Sequence, residues 1–130
     1  MSPDVVRKKL VSITKYLKDL TPYKKISYDK FMEKHYEIER LLELVVMTAS
    51  DILFHLISAK GEEPPASYKA AFLKAGEMGI ISKKLSKSLA LGAGLRNILV
   101  HEYEEIDYRL VHKSIPITIR DLTAFIKKLS

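Results

Sequence analysis

The sequence predicts an all-α fold, a four- to five-helix up-and-down bundle, on three observations. Apolar residues recur at spacings of three and four along nearly the whole chain, and capping residues and breakers cut that pattern into lengths typical of helices. No stretch shows the polar and apolar alternation of a half-buried strand, with the short ILVHEY (98–103) as the one competitor. At 130 residues the chain fits a single domain, 1–130, with no internal repeat or linker. With 47% apolar residues and no polar low-complexity tract, it can bury enough surface to offset the entropy of ordering it.

Ser2, Pro3 and Asp4 form a helix start: a capping hydroxyl, a proline at the first helical position and an early acid that suits the dipole. The first helix runs to about Asp19, with Val6, Leu10, Ile13 and Leu17 as one apolar stripe, and Thr21 and Pro22 break it. From about Tyr28 to Lys60 there is no Gly or Pro, and Ile38, Leu41, Leu42, Val45, Ala49, Ile52, Leu53 and Leu56 keep helical spacing. One helix of that length would span roughly 50 Å. Leu44, Val46, Met47, Phe54 and Ile57 widen its apolar stripe, so part of it is expected to meet another chain. GEEPP is a turn, after which Ser67 caps a third helix from Tyr68 to about Met78 that stops at Gly79. Ser82 offers the cap for a fourth helix, which carries Leu85, Leu89, Leu91, Leu95, Ile98 and Leu99 and is interrupted by Gly92 and Gly94. A glycine inside a helix costs about 1 kcal/mol relative to alanine, so close helix packing is the expected reason for these two. The last helix runs from about Asp107 to Leu129, with Pro116 expected to kink or split it.

The absence of cysteine removes disulfides, thiolate metal sites and thiol nucleophiles together, and fits a reducing compartment, the cytoplasm. MSPDVVRKKLVS does not read as a secretory signal, and the most apolar segment, LLELVVMTASDILFHLI, is broken by Glu43 and Asp51, so no membrane span is expected. The formal charge is +6, and bases cluster at Arg7, Lys8, Lys9, Lys15 and Lys18, at Lys24 and Lys25, and at Lys83, Lys84 and Lys87. These fit solvated helix faces or a nucleic-acid footprint equally well.

Chemistry concentrates in GLRNILVHEYEEID, residues 94 to 107, where Arg96, Asn97, His101 and Tyr103 crowd the same turns as Leu95, Ile98, Leu99 and Val100. With Arg96 at zero on an ideal helix, Asn97 falls at about 100°, His101 at about 140° and Tyr103 at about 340°, while Leu91, Leu95, Ile98 and Leu99 gather between about 200° and 300°. Asn97 and His101 are neighbours one turn apart. Arg96 and His101 stand well apart, so a compact site from both needs the helix end to loosen or a second copy to contribute, as a symmetric dimer does. No glycine-rich phosphate loop and no convincing metal-ligand spacing accompany them, and no metal or cofactor is expected. What remains is a His that moves a proton near neutral pH, an Arg that forks onto phosphate oxygens, an Asn that orients either and a Tyr hydroxyl. That set suits RNA cleavage without metal, in which the 2′-hydroxyl attacks its own phosphate, with His101 as base or acid and Arg96 as clamp. The competing reading is a helix-end capping pair, or surface ion pairs with Glu102, Glu104 or Glu105.

RNILVHEY resembles the motif of HEPN domains, Arg, four residues, His, one residue, Tyr, in the branch of HepT-like toxins. DILFHLISAKGEEPPASYKAAFLKAGEMGII is similar to that family's second and third helices with the proline-rich turn between them, and YRLVHKSIPITIRDLTAFIKKL to its last helix. The resemblance covers nearly the whole chain and implies a homodimer with a metal-independent ribonuclease site near the dimer cleft. It matches Arg96 and His101 to the catalytic pair and Asn97 to their polar neighbour. It also implies a minimal nucleotidyltransferase antitoxin as partner, one that attaches AMP to the motif tyrosine, here Tyr103. A bulky anion beside Arg96 and His101 would block the phosphate position. The alternative is a non-catalytic nucleotide-binding partner or protein substrate of a nucleotidyltransferase.

Asp51 and His55, one turn apart in an apolar helix, fit a buried hydrogen bond better than a supporting role for Asp51 behind the site. His35 and His112 read as surface residues. Tyr16, Tyr23, Tyr28, Tyr36, Tyr68 and Tyr108 show no regular stripe for base stacking and read as core edges or interface anchors.

Overall fold

The computed structural model describes residues 3–101 and 107–130, with side chains outside the description at residue 3 and at 94–101. Five α-helices follow in order: α1 (Pro3–Leu20), α2 (Tyr28–Ala59), α3 (Tyr68–Glu77), α4 (Lys83–His101) and α5 (Tyr108–Leu129), with a 3-10 turn at Thr21–Tyr23 after α1. No strand occurs among the described residues, so ILVHEY is helical as far as His101. The expected cap at Ser2 lies outside the described residues.

The helix starts are set by side chains that accept from the first free N–H groups. Ser27 accepts from Lys30 N at 3.2 Å, Ser67 from Ala70 N at 3.1 Å and Ser82 from Leu85 N at 3.1 Å. Helix α3 ends in a Schellman turn, with Ile80 N on the Ala75 carbonyl at 2.9 Å and Gly79 N on the Gly76 carbonyl at 3.3 Å. Gly79 takes φ +74° there, which a Cβ would oppose.

Helix α2 is the centre of the bundle. It is long and apolar enough, on length and composition alone, to cross a bilayer, but Phe31, Ile38, Leu42, Val45, Ile52, Leu53 and Ile57 are buried inside this chain. Helices α1, α3 and α5 all pack on it. Leu44, Val46, Met47 and Phe54 are half-buried, so its wide apolar stripe is largely covered by the chain's own helices. The exposed large apolar residues outside α2 include Leu91 on α4 and Leu110 and Ile117 on α5. The helix is also not one regular rod: Lys34, at φ −124° and ψ 15°, breaks it about two turns in, where no Gly or Pro announces a break.

Pro116 does not split α5, which runs from Tyr108 to Leu129. A proline inside a helix costs about 3 kcal/mol. Burial of Val111, Ile115, Ile119, Leu122 and Phe125 on one stripe outweighs it, at about 1.5–3 kcal/mol for each fully buried side chain.

Among the described residues the close approach of helices falls on Gly76 and not on Gly92, while the surroundings of Gly94 lie outside them. A Cβ on Gly92 would meet nothing within 4 Å, so close packing is not its reason, and Gly92 is exposed. On Gly76 of α3, a Cβ would press on Ser86 Oγ and come within 2.5 Å of Ser86 Cβ. Ser86 cannot swing away freely, because it is buried and its hydroxyl donates to the Phe72 carbonyl at 2.7 Å. Gly76→Ala is therefore expected to lower stability by about 1–3 kcal/mol in denaturant unfolding. Gly92→Ala, in the same measurement, is expected to be neutral or stabilising by up to about 1 kcal/mol.

Candidate functional site

Helix α4 carries the first three motif positions, Arg96, Asn97 and His101, on its last two turns. Their side chains, and the whole of Tyr103, lie outside the described residues. The backbone is α-helical through His101, so Asn97 and His101 share a face one turn apart, and Arg96 and His101 diverge by about 140°. Two anchors flank the motif in the chain. Before it, Leu89, Ala90 and Ala93 bury α4 in the bundle. After it, the Asp107 carboxylate caps α5, accepting from Arg109 N at 3.1 Å and Leu110 N at 3.3 Å.

A polar clasp ties α4 to α5 below the motif. Asp121 is only 6% exposed; one carboxylate oxygen accepts from the Ser88 hydroxyl, and the other from Arg120 Nε and Nη2 at 3.2 Å each. Above the clasp, a groove of about 160 Å³ opens between α4 and α5, lined among others by Val46, Leu91, Gly92, Leu110 and Ile117. Leu91 is 74% exposed and Ile117 47%, so its rim is apolar surface left in water.

Asp51 is not in a buried hydrogen bond. Its carboxylate is partly exposed and pairs with Lys9 of α1 at 3.7 Å, because α1 covers the apolar side of α2 while the edge where Asp51 sits faces solvent. His55 beside it is half-buried. Among the described residues no group of three His, Asp or Glu side chains gathers where a metal ion could be held.

His35 and His112 are half-buried rather than on the surface, and they join a cluster of rings between the start of α2 and the start of α5. His112 Nε2 donates to the Ile26 carbonyl at 2.7 Å, and its ring lies 5.4 Å from Phe31 and 5.6 Å from Tyr28. His35 Nδ1 lies 3.0 Å from Glu39 Oε2, which can only accept, so this nitrogen carries the hydrogen. The His35 ring lies 4.1 Å from Tyr36 and 4.7 Å, edge-on, from Tyr108. The Arg109 guanidinium sits 4.2 Å over the Tyr28 ring. Sequence reading missed this cluster, although the spacing holds a signal: Tyr28, Phe31 and His35 follow at three and four, and Tyr108 and His112 at four.

Against known proteins, the family model described as Ribonuclease HepT-like matches residues 13–129. A curated relative, the tRNA nuclease HepT of Aphanizomenon flos-aquae (strain 2012/KM1/D3), is 30% identical over 133 residues, covering 100% of this chain and 90% of the relative. Among solved structures, a tri-AMPylated Shewanella oneidensis HEPN toxin in complex with MNT antitoxin superposes with a TM-score of 0.84 at 23% identity. It covers 99% of this chain and 98% of that one. A mutant form of the toxin–antitoxin pair MntA–HpeT gives 0.81 at 22% identity, covering 97% of each chain. A toxin–antitoxin structure with AMP-PNP gives 0.74 at 19% identity over 100% of each chain. At these identities the superpositions establish a shared helical fold.

The ring cluster has a measurable electrostatic consequence. Burial first, then the charge of Glu39, then Tyr36 and Tyr28, push the Tyr108 hydroxyl above its usual 10.0. The folded state thus keeps a proton where the unfolded chain is already losing it. This group leaves stability untouched below about pH 10 and withdraws it as the pH rises further. Thermal unfolding followed upward from neutral pH should show a shallower alkaline loss of Tm in Tyr108→Phe than in the wild type.

Proposed function

The chain belongs to the Ribonuclease HepT-like family, and from that membership we propose that it is the toxin of a toxin–antitoxin pair, an endoribonuclease that cleaves RNA without a metal ion. The observation that carries this reading is the family match over residues 13–129 together with RNILVHEY at the end of α4, where an Arg able to bind an anion and a His able to move a proton stand at the spacing of the family's motif. The name of the curated relative makes tRNA the first substrate to try.

In the proposed step, the 2′-oxygen of a ribose attacks the adjacent phosphorus. The O2′–P bond forms and the P–O5′ bond breaks, leaving a 2′,3′-cyclic phosphate and a free 5′-hydroxyl. His101 takes the 2′ proton, and an acid returns one to the departing 5′ oxygen. Arg96 holds the non-bridging oxygens as their charge grows, and Asn97, on the His101 face, orients the imidazole or the phosphate. Asp51 is the weak candidate for a supporting role behind them.

A helix that is regular through His101 turns Arg96 away from His101, and this supports a homodimer in which the second copy supplies the missing group. The apolar rim at Leu91, Leu110 and Ile117 supports the α4–α5 groove as the contact, since it lies on the helices that flank the motif. With two copies, one His101 serves as base and the other as acid.

For control, we propose a minimal nucleotidyltransferase antitoxin that transfers AMP to Tyr103. The fold likeness to a tri-AMPylated toxin held by an MNT antitoxin supports this partner. The transferred phosphate would occupy the substrate's position beside Arg96 and His101 and repel its charge.

Cleavage of end-labelled tRNA and unstructured RNA in excess EDTA tests the reaction. His101→Ala is expected to lose at least about 100-fold in rate, and Arg96→Ala about 100- to 1,000-fold. Tyr103→Phe should cut RNA but escape inactivation by the antitoxin and ATP. Transfer of AMP to Tyr103 by a chain that cuts no RNA would instead identify a nucleotide-binding partner or protein substrate of the transferase. Light scattering tests the dimer: Ile117→Glu, which puts a charge into the groove, is expected to give a folded monomer with cleavage lost.

A further inference from the structure

The ring cluster beside the motif is left without a task by the cleavage scheme, and its outer edge is open. Tyr36 is 80% exposed, on a helix whose neighbouring aromatic residues are half-buried or buried. Consecutive residues of a regular helix point about 100° apart, yet the His35 and Tyr36 rings come to 4.1 Å, just past the break at Lys34. His35 cannot rotate freely, since Glu39 holds Nδ1 and Tyr108 closes its edge. The result is a fixed aromatic ledge with one face in water.

Its surroundings carry both signs. Glu39 is committed to His35, and Glu37 is 3.4 Å from the Tyr23 hydroxyl, which donates to it. Exposed cations surround the cluster, Arg109 over Tyr28, Lys34 over Tyr23 at 6.0 Å, Lys113 next to His112 and Lys25 next to the Ile26 carbonyl that His112 reaches, while Glu33 and Glu37 are exposed as well. The ledge is also close to the motif along the chain. Tyr108 follows Tyr103 by five residues, which limits their Cα separation to at most about 18 Å.

We propose that Tyr36, packed on His35, which in turn meets Tyr108, stacks an unpaired nucleobase a few nucleotides from the cleavage motif. This rests on the ribonuclease reading above. Stacking suits the site because every base offers a π-face and the flanking cations meet the backbone phosphates. Two sources supply such a base: the RNA strand, and the adenine of a nucleotide transferred to Tyr103.

The chain has no tryptophan, so Tyr36→Trp introduces a sole reporter on the ledge. In a His101→Ala background the RNA survives titration with a short unstructured oligoribonucleotide, whose binding is followed separately by anisotropy of a 5′ label. The expected result is quenching of the tryptophan as the RNA binds, lost when abasic positions replace the bases. Tyr36→Ala should weaken RNA binding about five- to a hundredfold and raise KM more than it lowers kcat. Quenching after AMP transfer but not with RNA supports the ledge with adenine as its occupant. Bound RNA and transferred AMP that both leave the emission unchanged refute the ledge while the ribonuclease reading stands. Absence of RNA binding sinks that reading, and with it the RNA arm. Emission that follows protein concentration alone assigns Tyr36 to a protein contact and overturns the proposal.

Discussion

The seat of α4 is the constraint on which the rest depends. At Gly76 the backbone of α3 comes so near Ser86 that no side chain fits between them, and the Ser86 hydroxyl is fastened to the Phe72 carbonyl. Two residues on, Ser88 is fastened to Asp121 of α5. Two bonds on successive faces leave α4 neither rotation nor slide. A shift of one residue would turn every later position by about 100°, so these contacts set the register of the helix that carries the motif.

The helix boundaries were legible because they are chemical events in the sequence. Ser67 and Ser82 read as caps, and each accepts the N–H three residues on. Gly79 reads as a stop and takes the left-handed turn that ends α3. Asp107 marked the start of the last helix, and its carboxylate is the cap. The break at Lys34 had no such mark, since neither Lys nor its neighbours lack an N–H or favour an unusual φ. It coincides with the packing of the first turn of α2 against the start of α5, a contact between residues about eighty apart in sequence.

The misread side chains share one cause. Burial belongs to the packed bundle, whereas periodicity reports only which face of one helix is apolar. Asp51 lies in an apolar run, so it read as buried, but it sits on the edge of α2 where Lys9 can reach it. His35 and His112 looked like polar punctuation. Each completes an aromatic face that only two helices together create, and the Ile26 carbonyl and the Glu39 carboxylate supply the polar partners that let imidazoles sit there. Gly92 read as a packing glycine, but its absent side chain leaves room in a groove on the surface. The motif is read from residue types and spacing alone, because its side chains lie outside the described residues.

Helical geometry then links activity to assembly. On a regular helix the positions of Arg96 and His101 stand about 140° apart, so under the proposed reaction an isolated chain offers half of a site. In that reading the missing half comes from a second copy seated on the apolar rim of the α4–α5 groove, next to the clasp of Ser88 and Asp121. Control at Tyr103 follows the same logic. Under the proposed control, Tyr103 follows the end of α4 by two residues and precedes the Asp107 cap by four, so the chain itself would tether a transferred group near the motif at high effective concentration. A tethered phosphate need not bind tightly to exclude RNA; it needs only to be in the way and of like charge.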